Sequence, residues 1–134
     1  MNSLKSIYCL KEDYRRIKII QEASIDEKSI YGYKIENGLL FGTKEWFDAI
    51  EDGIIIKHSI KGIITRIFMS GHNDYPEFEI ENSEGKTIWP KFGCDDAYKV
   101  GKKIELVFVE QKYKRPNDII GPISKCVIEI KNSE

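Results

Sequence analysis

The segment EFEIENSEGKTIWPKF, Glu77 to Phe92, decides how the chain is read. Acidic and apolar residues alternate up to the polar stretch NSEG, and a second β-prone run follows. A three-residue loop Ser83-Glu84-Gly85, with Gly85 left-handed, sets Asn82 opposite Lys86. Counting outward pairs Glu81 with Thr87, Ile80 with Ile88, Glu79 with Trp89, Phe78 with Pro90 and Glu77 with Lys91. Side chains alternate between the two faces of a sheet. Phe78, Ile80 and Ile88 are therefore expected inward, and Glu77, Glu79, Glu81, Thr87, Trp89 and Lys91 outward. Pro90 has no N–H to give a central ladder, so it marks an edge or a bulge.

Strand-like sequence continues on both sides. GIIIKHSIKGIITRIFMS, Gly53 to Ser70, is too long for one flat strand, and Gly62 predicts a bulge or sharp bend within it. YKVGKKIELVFVEQKYK (98–114) and SKCVIEIK (124–131) supply two more strands. A long strand bent at glycine, a hairpin, a short connection and two further strands resemble the OB-fold barrel over Ile54 to Lys131. An SH3-like small barrel is the alternative. The predicted class is mainly β, a small antiparallel barrel whose buried residues include Ile64, Phe78, Ile80, Ile88, Leu106, Phe108, Ile128 and Ile130.

Ahead of the barrel, SIYCL and RRIKIIQ read as two strands of an N-terminal β-hairpin extension around the polar KEDY, because β-branched Ile dominates. A helix over Leu4 to Ile20 competes, since Ile7, Leu10, Tyr14 and Ile17 fall at helical spacing. Asn37-Gly38 is a strong two-residue turn signal between YKIE and LLF. GTKEWFDAIEDG predicts one short helix, with Thr43 as N-cap, Glu45 near its positive end, Trp46 and Ile50 on one face, and Gly53 closing it. One domain is expected over 1–134, with 1–52 as the extension and 53–131 as the barrel core.

With 134 residues, 41% apolar and 32% charged, the chain fits a globular protein with its own core. A formal net charge of −1 gives no global drive toward nucleic acid or anionic membrane. Cys9, Cys94 and Cys126 are an odd number and far apart, so neither a disulfide framework nor a zinc knuckle is indicated. The start MNSLKSIYCLKEDYRR lacks the apolar core of a signal peptide. No run approaches the ~20 apolar residues of a membrane span. The expected compartment is the cytoplasm, with no cofactor and no specific metal.

Three constellations could carry chemistry. The face with Trp89, Glu77, Glu79 and Glu81 suits a protein partner bearing Lys or Arg, through cation–π contact and carboxylate hydrogen bonds. QKYKRPND places Lys112, Lys114 and Arg115 around Tyr113 in the last hairpin loop, a pattern that suits phosphate contact and base stacking. GHND and GCDD flank the central hairpin, so His72, Asp74, Cys94, Asp95 and Asp96 could converge as metal ligands or a Cys–His pair. Gly, Asn and Asp are also ordinary turn formers. His58 lies in an apolar strand, where a structural role is commoner.

No phosphate-binding glycine loop, G-x-S-x-G or H-E-x-x-H occurs. The leading reading is a small non-enzymatic cytoplasmic protein that binds another protein, with a cationic partner surface. Size and near-neutral charge with separate acidic and basic hairpins are similar, by composition, to bacterial toxin-neutralising proteins of the immunity type. An OB-type module for single-stranded nucleic acid is the second reading. A thiol- or metal-dependent enzyme at His72 and Cys94 is the third.

Overall fold

The central hairpin forms, one residue out of the expected register. The computed structural model describes residues 4–29, 31–69, 76–93, 97–118 and 121–133. β3 (Pro76–Asn82) and β4 (Gly85–Pro90) turn through Ser83 and Glu84 alone, so Asn82 faces Gly85. Glu81 then opposes Lys86, Ile80 opposes Thr87, Glu79 opposes Ile88, and Phe78 opposes Trp89. A slip of one residue moves the whole of β4 to the other face. Trp89 is consequently buried at 4% exposure, and Ile88 is 53% exposed. The expectation that Trp89 faces outward and Ile88 inward is corrected on this point. The asparagine explains the tighter loop: the Asn82 side-chain oxygen accepts from the Glu84 N–H at 2.9 Å.

Six strands form one sheet, in the order β1-β6-β5-β2-β3-β4. The others are β1 (Lys5–Cys9), β2 (His58–Met69), β5 (Lys103–Asn117) and β6 (Gly121–Asn132). The sheet is mainly β, as expected, but it is not closed into a barrel: β1 and β4 are its two ends. What stands in for closure is local. Past Pro90, Phe92 stacks on Tyr8 of β1 at 4.8 Å, and a side chain at Gly93 would strike the Ile7 carbonyl. β2 runs through Gly62 without a break, and its irregularity lies between Ile64 and Arg66. Gly62 is required for a different reason: a Cβ there would lie 2.4 Å from the Glu81 carbonyl oxygen.

The chain divides into two compact units: Met1–Cys9, Ser59–Val107 and Glu129–Glu134 form the first, and Leu10–His58 and Phe108–Ile128 the second. The first unit buries Tyr8, Ile64, Phe78, Ile80, Trp89, Tyr98, Ile104, Leu106 and Ile130. Alternation along β3 and β5 places these residues on the inner face. Asn132 is also buried there, and its amide donates to the Ala97 carbonyl.

In the second unit the expected N-terminal hairpin is replaced by a helix. β1 is a strand, but Asp13, within the polar KEDY stretch, is an N-cap, accepting from the Arg16 N–H at 3.2 Å. α1 (Tyr14–Ile25) follows. Its isoleucines have weak helix propensity, and tertiary anchors override that. Arg16 Nη1 donates to the Val127 carbonyl, and Gln21 Nε2 donates to the Phe41 carbonyl. The described residues thus hold two α-helices where one was expected. α2 (Lys44–Glu51) is the expected one, with Thr43 accepting from the Trp46 N–H and with Trp46, Phe47, Ala49 and Ile50 buried. Asn37-Gly38 does turn, with φ of 56° and 73°, but pairing beyond it stops at Glu36 and Leu39. The preceding residues pair elsewhere: Lys34 N–H donates to the Lys112 carbonyl, and Lys114 N–H to the Gly32 carbonyl. Leu10, Tyr33, Phe41, Phe108, Val109, Cys126 and Val127 complete this core.

Candidate protein-docking surfaces

The shift of β4 rebuilds the acidic face. Glu79 is 7% exposed, and its carboxylate accepts from the Thr65 hydroxyl at 2.8 Å. Glu81 is exposed and pairs with Lys86 at 3.5 Å. Glu77 is half-buried opposite Pro90. Trp89 is turned away from these glutamates, and its indole N–H donates to the Thr87 hydroxyl at 2.8 Å. Its former position among them falls to Ile88, across from Glu79, while exposed Ile63 lies across β2 from Glu81. The face therefore combines carboxylates with Ile63, Ile88 and a half-buried Phe68 opposite Glu77, and with Arg66 opposite Glu79, its guanidinium 5.6 Å from the centre of the Phe68 ring.

The basic cluster lies within strand β5 rather than in a loop. Lys112 Nζ is 4.0 Å from Glu36 Oε1. Tyr113 is half-buried and packs on Tyr33 with ring centroids 5.6 Å apart. Lys114 Nζ reaches the carbonyls of Ala23, Ser24 and Asp26, the open end of α1. Arg115 is exposed. Lys112, Tyr113 and Lys114 also line a cleft of about 370 Å³ with Pro116, Pro122 and Ile123.

The nucleophile and ligand candidates at His72, Asp74, Cys94, Asp95 and Asp96 lie outside the described residues. Cys9 and Cys126 are free thiols. Cys126 is fully buried, and desolvation pushes its thiol up to about 11, against the opposing charge and hydrogen bond of Arg16. Tyr33, hydrogen-bonded to Ser124 at 3.0 Å, is also pushed well above its ordinary value, chiefly by burial. These groups form a buried polar cluster suited to holding α1 and β6, not to reaching a substrate. His58 is exposed, stacks on Phe108 at 5.1 Å, and places Nε2 3.5 Å from Glu110. Among the described residues, no three His, Cys, Asp or Glu side chains converge as a metal site.

One surface was not expected from the sequence. Gly53 ends α2 with φ of 80°, and the N–H groups of Ile54 and Ile55 both donate to the Ala49 carbonyl, at 2.9 and 3.0 Å. The triple isoleucine that reads as a strand start is thereby tied to the helix end, outside any strand. Ile54 and Ile56 are 68% and 66% exposed. They border a groove of about 230 Å³ that Leu39, Trp46, Glu36 and Glu110 also line. The Trp46 indole N–H donates to Gln111 Oε1 at 3.3 Å, fixing the ring below it. The sequence signal was the excess itself: three isoleucines after a helix-ending glycine are more than one strand face can bury.

No described helix is long and apolar enough to cross a membrane. A family model described as Immunity protein RhsI2 matches residues 4–133, taking in both compact units. No curated protein matches the chain.

Proposed function

Because the chain belongs to the family of immunity protein RhsI2, we propose that it neutralises a toxin in the cytoplasm by binding it, without catalysis. The family match over residues 4–133 carries this reading. Two features support it. The Cys126 thiol is buried and held protonated, a poor nucleophile. The outward face of β2–β3–β4 offers Ile63 and Phe68 on one side of the β3 glutamates and Ile88 on the other, with Glu77, Glu79 and Glu81 against the two cations Arg66 and Lys86. That composition favours a protein surface bearing Lys or Arg over a polyanion. Meanwhile Lys112 and Lys114, the cations of the nucleic-acid reading, already serve Glu36 and the end of α1.

The test is co-production with each protein encoded beside this gene to find the toxin it neutralises, combined with calorimetric titration of the purified pair. Wild type should restore growth and bind the toxin. Ile88→Ser should weaken binding by about 1–2 kcal/mol, roughly 5- to 30-fold in Kd. Glu81→Lys should slow association, and the effect should shrink as salt rises. Growth rescue with no physical complex would sink the binding mechanism. Tight, salt-dependent binding of single-stranded oligonucleotides, lost on Arg115→Ala and unaffected by Ile88→Ser, would favour the nucleic-acid reading instead.

A further inference from the structure

We propose that the groove beside α2 is a second docking site for the same toxin, and that its occupant is a segment carrying one bulky apolar side chain next to a lysine or arginine. The proposal rests on the toxin-binding reading above.

The apolar half of the argument is exposure with a fixed shape. Ile54 and Ile56 keep two-thirds of their surface in water, yet the backbone at Ile54 and at Ile55 between them is tied to the end of α2 through the Ala49 carbonyl. Exposed aliphatics held in place around a preformed groove gain by being covered, and little ordering entropy is lost when they are. The groove, about 230 Å³, is matched to one large side chain lying over the edge of Trp46.

The charge half identifies what accompanies that side chain. The lining carries two carboxylates, Glu36 and Glu110, against one ammonium, Lys34; Glu36 also lies 4.0 Å from Lys112 and Glu110 3.5 Å from His58, exposed pairs that a partner's cation can replace at little cost. Helix α2 adds to this sign. A helix C-terminus is the negative end of its dipole and is stabilised by cations. Yet α2 has no basic residue in its last turn and ends on Glu51 and Asp52, both exposed, just before Ile54. Its lysine, Lys44, lies in the first turn and is paired with Asp48 at 2.9 Å. The field at that helix end is thus set for a positive group, and the last turn of α2 supplies none, the next cation along the chain being Lys57 beyond Ile56. A second copy docked here about a two-fold axis would bring an equally acidic helix end to the groove, so the occupant that the charges favour is a cationic, apolar segment of another protein.

Two double variants test this by calorimetric titration with the toxin identified by co-production. Ile54→Ser with Ile56→Ser should weaken binding at least tenfold. Glu51→Lys with Asp52→Lys should also weaken it at least tenfold while raising Tm, because the new cations complement the α2 dipole. Weaker binding by a more stable protein separates docking from folding. In a Trp89→Phe background, Trp46 fluorescence should shift on complex formation. If wild type binds and both double variants bind equally well, the groove proposal is wrong and the toxin-binding reading stands. If wild type does not bind, both fall. If wild type is a dimer that Ile54→Ser with Ile56→Ser dissociates, toxin affinity being unchanged, a second copy fills the groove and the proposal is overturned.

Discussion

The ammonium of Lys114 sits at the C-terminal end of α1, beside the carbonyl oxygens of Ala23, Ser24 and Asp26. Those oxygens have no partner inside the helix, and the helix dipole leaves them negative. α1 has no basic residue in its own last turn, so β5 supplies the missing cation. Lys114→Met keeps the apolar stem and removes the charge and its hydrogen bonds. It should cost about 1–2 kcal/mol, read as a lower urea midpoint with unchanged slope. The sequence places Lys114 among its neighbours Lys112 and Arg115 and gives no sign that it alone is spent on a helix terminus. That pairing spans β5 and α1, and only the fold brings them together.

At the scale of elements, legibility followed how local each signal is. α2 was readable because Thr43, Trp46, Ile50 and Gly53 all lie within its own span, and each takes the expected place. The turn at Asn37-Gly38 was readable for the same reason. The β3–β4 hairpin was readable as a hairpin, but its register hung on whether Gly85 belongs to the loop or to the strand. Gly85 has φ of 130° while pairing with Asn82, so the glycine serves the first strand position. That one assignment decides whether Trp89 or Ile88 joins the glutamates. α1 was misread because Ile17, Ile19 and Ile20 favour strands locally, while its anchors at Val127 and Phe41 are remote in sequence. Gly62 was noticed as special, but its role is close approach to β3. Gly62→Ala should therefore destabilise by about 1–3 kcal/mol, since the clash is with the backbone at Glu81 and cannot be relieved by a rotamer. Thermal melts of the pair of proteins would show it, and an unchanged Tm would refute the close-approach account.

For the whole molecule, the buried Cys126 and Tyr33 make stability fall in alkali. The folded state holds the Cys126 proton up to about 11, from an ordinary value of 9.0, so between those values the unfolded chain binds fewer protons. Stability is then fully present below pH 9 and declines as pH rises toward 11. The loss from Cys126 is on the order of 2–3 kcal/mol. Tyr33 shifts in the same direction from 10.0 and extends the decline upward. Urea midpoints at pH 8 and pH 10.5 should drop accordingly, and Cys126→Ala should flatten the first part of the fall while leaving the tyrosine part.

The pairing of β1 with β6, Tyr8 opposite Ile130, has a kinetic consequence. Closing that contact encloses nearly the whole chain in one loop, and the entropy of doing so is spent before the contact returns anything. A pairing of such long sequence separation belongs with slow-forming sheets, in the millisecond-to-second range rather than the microseconds of helical bundles. Until β6 arrives, β1 is a strand without a ladder. The interval in which this chain is vulnerable to mispairing is therefore set by its most distant contact, not by its hairpin.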